Sequence, residues 1–150
     1  MSKPLKLIIQ SAGDLPVISS ALQDSTVRIG DMAWLKSEAL FAFVGNRYRW
    51  EKKGWFRRPK GERVRTAFHL NSVSNAQLHN IDPKDSDTIL ELLNIEANKQ
   101  DSGYMVRLNF AGDSGITLHT DSIDGLLSDI GDSWDAIERP RHDLSDATFQ

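Results

Sequence analysis

Residues 26–44, TVRIGDMAWLKSEALFAFV, decide how this chain folds. Val27 and Ile29, then Met32 and Trp34, follow a period of two on either side of Gly30 and Asp31, as in one strand interrupted by a bulge or bend. Lys36, Ser37 and Glu38 form a polar tip. Ala39 to Val44 is aliphatic and aromatic enough to return as a second strand. A hairpin here commits the neighbouring sequence to an antiparallel sheet.

Working toward the C-terminus, the next segment is Asn46 to Arg65, NRYRWEKKGWFRRPKGERVR. Gly54, Pro59 and Gly61 break it into a strand end, an exposed loop over 52–61 and a returning strand over 63–70. In the return, Val64, Thr66, Phe68 and Leu70 share one face, and Arg63, Arg65, Ala67 and His69 the other. Val73 to Ile81 reads as a further strand past a kink at Asn71 and Ser72. Asp82 to Asp87 is an acidic turn around Pro83. Residues 88–98 carry helix and strand signals together and are read as strand, because Leu90 and Leu92 alternate against Leu93 and Ile95. Tyr104 to Phe110 and Ile116 to Thr120 are strands joined by a loop over Gly112, Asp113, Ser114 and Gly115.

Two segments carry helical spacing. Leu15, Ile18 and Leu22 form one stripe, with Asp14 as N-cap and Pro16 in the first turn, which predicts a helix over about 14–23. Ile123, Leu126, Leu127 and Ile130 fall at i, i+3, i+4 and i+7, with Asp121 or Ser122 ahead and Gly131 behind, which predicts a C-terminal helix over about 122–131. The expected class is therefore α+β: an antiparallel, strongly bent sheet or partial barrel of about six to eight strands plugged by the last helix. In element order this is similar to pleckstrin-homology-type barrels, although the early helix is foreign to that pattern. The chain reads as one α+β domain over 1–138 with an irregular tail over 139–150.

Composition narrows the chemistry. There is no cysteine among the 150 residues, which removes disulfides, thiolate metal sites, iron–sulfur clusters and cysteine nucleophiles. No apolar run approaches the ~20 residues of a spanning helix, and Gln10 and Asp14 interrupt the N-terminal run before it could act as a signal, so a cytoplasmic location is expected. The net charge of −3 is that of no general polyanion binder. Charge is nevertheless segregated. Residues 46–65 hold nine of the eighteen lysines and arginines against two acids, so this stretch carries +7 and the remainder −10.

That stretch is the candidate binding surface: Arg47, Arg49, Trp50, Lys52, Lys53, Trp55, Arg57, Arg58, Lys60, Arg63 and Arg65. Arginine forks suit phosphates or carboxylates, and the indoles offer flat contact area. One reading is a non-enzymatic binding module for an anionic partner, either an acidic protein surface or nucleic acid. The bland alternative is a solvated hairpin whose cations meet the acidic remainder of the molecule. A further alternative is a homo-oligomer in which the basic loop docks on the acidic turn Asp82 to Asp87 of a second copy. A third is an enzyme using histidine and carboxylate, for example His119 with Asp121 and His69. Against it, His69, His79, His119 and His142 show no ligand spacing, no serine sits in a nucleophile elbow, and no glycine loop cradles phosphate. No catalytic residue, metal ligand or cofactor is expected.

Several short strings are familiar together: Asp14 and Leu15 with Ile18, Ser19 and Leu22 to Asp24; Gly30 to Met32; Phe41 and Ala42; Asn46 to Tyr48 with Trp50 and Glu51; Phe110 to Gly112; and Asp129, Gly131 and Trp134. In this order, over nearly the whole chain, they resemble the bacterial family catalogued as domain of unknown function 2948. The resemblance implies a bacterial cytoplasmic protein and brings no activity with it.

Overall fold

A computed structural model describes residues 4–48, 63–130, 144 and 147–149. Its strands in chain order are β1 (Lys6–Ile9), β2 (Thr26–Leu35), β3 (Leu40–Tyr48), β4 (Arg63–Leu70), β5 (Val73–His79), β6 (Ile89–Lys99), β7 (Tyr104–Phe110), β8 (Ser114–Thr120), β9 (Gly125–Asp129) and β10 (Thr148–Phe149), with one helix, α1 (Leu15–Leu22). They form one sheet in the order β1-β9-β4-β3-β2-β6-β7-β8-β5-β10. Every pairing is antiparallel except that of β10, two residues long, with β5.

The opening hairpin forms as its alternation requires. β2 and β3 pair at Thr26↔Asn46 and again from Met32↔Phe43, and the register shifts between, across Gly30 and Asp31. There β2 turns to other partners: the amides of Ile29 and Gly30 donate to the carbonyls of Thr88 and Ser86 at 2.9 and 2.8 Å. Gly30 has Ser86 backbone and side-chain atoms 3.0 Å from where a Cβ would stand.

Chain connectivity forces the sheet to bend. Five strands separate β4 from β5 in the sheet, yet only Asn71 and Ser72 separate them along the chain. Laid flat, those strands would sit about 29 Å apart at ~4.8 Å per step, whereas three Cα–Cα links span at most about 11 Å. The sheet therefore curves until β4 and β5 lie close together, although they do not pair. Val73 N–H donates to Ala39 O at 2.8 Å, and the buried Trp34 donates through Nε1 to Val73 O at 3.3 Å. β6 carries the bend: its first residues pair with β2 and Leu92 to Lys99 with β7.

Helix α1 sits where β6 changes partners. Asp24 N–H reaches Leu92 O, Leu92 N–H reaches Ser25 O, both at 2.8 Å, and Ile95 N–H donates to Ser19 Oγ at 3.0 Å. Leu15, Ile18 and Leu22 are buried in the cluster that also holds Phe41, Phe43, Phe68 and Phe110. Full burial of one such side chain is worth about 1.5–3 kcal/mol. Asp14 does not cap α1: its carboxylate turns back to the amides of Gln10 and Ser11 at 2.8 and 3.1 Å.

The expected class is corrected in one decisive place. Residues 122–130 do not form a helix, and the predicted end at Gly131 lies outside the described residues; β9 occupies Gly125–Asp129, wedged between β1 and β4. Four apolar positions in eight residues fit either period over so short a span, and two neighbouring strands supply more hydrogen bonds and packing than one helical face. Among the described residues the fold is accordingly mostly an open antiparallel sheet with one short α-helix, neither a balanced α+β domain nor a barrel plugged by a helix over 122–130. The boundary placed at 138/139 lies outside the described residues. Beyond it, Leu144 is buried in the core and β10 lies along β5.

Candidate functional site

β3 and β4 hold an unbroken antiparallel register from Phe41↔Leu70 to Tyr48↔Arg63. The basic stretch therefore leaves and re-enters the sheet at one residue pair. Arg49, Trp50, Lys52, Lys53, Trp55, Arg57, Arg58 and Lys60 lie outside the described residues. Arg47, Arg63 and Arg65 lie within them, and the pleat sorts these three onto opposite faces.

Arg63 and Arg65 stand with Tyr48 and Asn46 on the outer face, since directly paired residues share a face. Arg63 lies 5.1 Å over the Tyr48 ring and donates from Nη2 to its hydroxyl at 3.0 Å. Arg47 faces inward and is only 8% exposed. Its Nε and Nη2 donate to the two carboxylate oxygens of Asp129 at 2.8 and 2.7 Å, a bidentate fork, and Nη1 reaches Tyr48 O at 3.3 Å. The Asp129 side chain is 3% exposed and also accepts the Leu5 amide at 2.7 Å. Burial alone would push its pKa up. The fork from Arg47, the Leu5 amide and the nearby positive charge outweigh that and hold it below the ordinary carboxylate value. Arg47 is thus committed to joining β3, β9 and the start of β1.

Among the described residues, two surface clefts gather polar side chains. The smaller, about 140 Å³, lies on the outer face at the β2 bulge, between Arg28 and Asp31 on one side and Asn46 and Arg65 on the other. Arg28 donates to Asp31 at 3.5 Å and to the exposed Asp87 at 3.0 Å, so the acidic turn over 82–87 is tied to the same edge of the cleft.

The larger cleft, about 400 Å³, lies where the β6–β7 turn meets the end of β8 and gathers Lys99, Asp101, Tyr104, His119 and Asp121. Its turn is held close: Gly103 has a φ of +88°, and a Cβ there would stand 2.2 Å from Thr120 O. His119 and Asp121, named together from the sequence, do share this cleft, whereas His69 is absent from its lining. The His119 ring meets Gln77 Oε1 at 3.5 Å and no carboxylate among the described residues. Lys99 lies 5.3 Å over Tyr104. An acid–base pair is not assembled by these contacts. His79, the last residue of β5 and half-buried, comes within 3.8 Å of the exposed Asp113 on the β7–β8 turn, and His142 lies outside the described residues. Among the described residues, no three acids and histidines are grouped to hold a metal ion, and no helix is long and apolar enough to cross a membrane.

Sequence reasoning assigned no role to Arg28, and it marked Asp129 only as part of the family resemblance. Arg28 stands one position before the apolar Ile29 in a period-two strand, so its parity already pointed outward beside the bulge. Asp129 was hidden by the helical reading of its segment.

A family model described as "Protein of unknown function (DUF2948)" matches residues 5–142, and the chain belongs to that family. No curated protein and no solved structure matches it.

Proposed function

Starting from a family that brings no activity with it, we propose that the chain is a non-enzymatic binding module that takes single-stranded nucleic acid on the basic stretch and the sheet face beside it. The observation that carries this reading is the register ending at Tyr48↔Arg63. The intervening sequence, with six cations, Trp50, Trp55 and Phe56, is joined by the chain to this end of β3 and β4, and Arg63, Arg65 and Arg28 stand on the outer face beside it. Cations alone would suit any acidic surface. The interleaved aromatics favour bases, which stack for about 1–3 kcal/mol each.

Titration with single-stranded oligonucleotides, followed by tryptophan fluorescence at several salt concentrations, tests the reading. If about five phosphates are neutralised, log K falls against log salt with a slope of roughly −3.5. Arg57→Glu/Arg58→Glu should remove most of the affinity. Wild-type fluorescence indifferent to the oligonucleotide sinks the reading. A response to poly-glutamate but not to oligonucleotide reassigns the surface to an acidic protein. Salt-sensitive sedimentation without any ligand reassigns it to self-association.

A further inference from the structure

We infer that the small outer-face cleft at the β2 bulge is a subsite for one phosphoryl group, held by Arg28 and Arg65 with help from Thr26 and Asn46. The cleft exists because of the bulge. β2 runs beside β3 at Thr26 and Val27, leaves it to donate to Thr88 and Ser86, and rejoins it at Met32. The departure opens about 140 Å³ between strands that would otherwise be in contact, room for a tetrahedral oxyanion and too little for a nucleoside.

The lining is biased toward donors. Arg65, Asn46 and Thr26 are paired in sequence across three adjacent strands, Arg65↔Asn46 and Asn46↔Thr26, so they form one row on one face. Arg28 is the next residue of the same face along β2. The Thr26 hydroxyl and the Asn46 amide have no hydrogen-bond partner among the described residues, and neither has Nη2 of Arg28, whose Nε and Nη1 meet Asp31 and Asp87. With Nε on Asp31 and Nη1 on the exposed Asp87, release of Asp87 leaves Nη1 and Nη2 together to fork onto an oxyanion.

Two acids act against the site and give it a signature. The Asp31 side chain is 12% exposed and stays with Arg28. Asp87 is 93% exposed, so an incoming phosphoryl group exchanges with it at Arg28 rather than adding to it. The acidic turn thereby acts as a competitor for the subsite, within reach because Gly30 N–H fastens it to the bulge at Ser86 O.

For small anions the inference stands alone. Only its extension to a nucleic-acid phosphate rests on the function proposed above. The test follows backbone amide shifts of residues 26–31, 44–46 and 65 during titration with inorganic phosphate, then with an oligonucleotide with and without a 5′-phosphate. The probes are wild type, Arg65→Gln, Arg28→Gln, Asp87→Asn and the loop variant Arg57→Glu/Arg58→Glu.

With inorganic phosphate, saturable shifts centred on the cleft are expected in wild type and in the loop variant alike, whereas with the oligonucleotide they are expected in wild type only. They should weaken at least tenfold in Arg65→Gln or Arg28→Gln and tighten about threefold in Asp87→Asn, a gain no purely structural role predicts. Scattered shifts, or shifts unchanged by both arginine substitutions, overturn the subsite. Oligonucleotide binding that leaves these amides unmoved also overturns it while preserving the binding module. Phosphate binding at the cleft without oligonucleotide binding preserves the subsite as a small-anion site and removes the module.

Discussion

Arg47 and Arg65 belong to one basic run and sit on adjacent strands, yet they do opposite things. Arg47 faces the core, buried and forked onto Asp129; Arg65 faces outward beside a cleft. What separates them is parity on the pleat: Arg47 pairs with Val64 on the inner side, and Arg65 with Asn46 on the outer. The inner position desolvates its cation, so it is stable there only with a carboxylate in contact, whereas the outer position leaves its cation in reach of solvent and ligands. A cluster of arginines in a sequence is therefore two populations, and only the outward one belongs to a surface.

The largest effect that tests this contrast comes from Asp129. Asp129→Ala leaves the Arg47 guanidinium buried without its partner and should cost about 3–5 kcal/mol in urea unfolding, with Arg47→Met/Asp129→Leu recovering most of the loss. A cost below about 1 kcal/mol would erase the distinction between the two arginines. The pair also predicts a pH dependence. Asp129 is held below its ordinary value of 3.8 when folded, so its contribution is complete above 3.8 and drains away as the pH falls through that value toward the lower folded one. The wild-type advantage over Asp129→Asn should accordingly be constant from pH 7 to about 5 and shrink below about 4.

Next in size is Gly125. A Cβ there would stand 2.1 Å from the His69 carbonyl oxygen, between strands whose pairing puts Asp129 beside Thr66 and so within reach of Arg47. Gly125→Ala should destabilise by about 2–3 kcal/mol, and the amides of Leu5 and Arg47 should shift with it. An unperturbed Arg47 would mean that the ion pair is held by other means than the β4–β9 contact.

Gly125 also shows why this part of the fold was illegible. Ile123, Leu126, Leu127 and Ile130 satisfy a helical period, and hydrophobic spacing over eight residues cannot exclude a strand. The signal against a helix was the glycine itself, placed inside an apolar run where a close backbone approach needs it. The hairpin over 26–48 was legible because its alternation runs through two long segments with a polar tip between. Residues 89–99 were legible only weakly, since β6 serves two partners and its register shift at Leu92 to Asn94 breaks the alternation that identifies a strand. For the candidate site, the charge segregation could be read directly. The outward parity of Arg63 and Arg65 could be read from their alternation with Val64 and Thr66, whereas the inward placement of Arg47 required the register, and the contribution of Arg28 required a cleft that forms only when β2 leaves β3.

The smallest expected effect on stability falls on the outer face, and it completes the contrast. Arg63→Gln and Arg65→Gln should each change unfolding free energy by no more than about 0.5 kcal/mol, because both stand on the outer face of the sheet. The same two substitutions should weaken oligonucleotide binding and, if each loses one phosphate contact, reduce the magnitude of the salt slope by about 0.7. Arg47→Gln should do the reverse, lowering stability by kilocalories while leaving the salt slope of the folded fraction unchanged. If Arg65→Gln destabilises as much as Arg47→Gln does, the outward arginines are structural as well, and the sheet face beside the basic stretch holds the fold instead of a ligand.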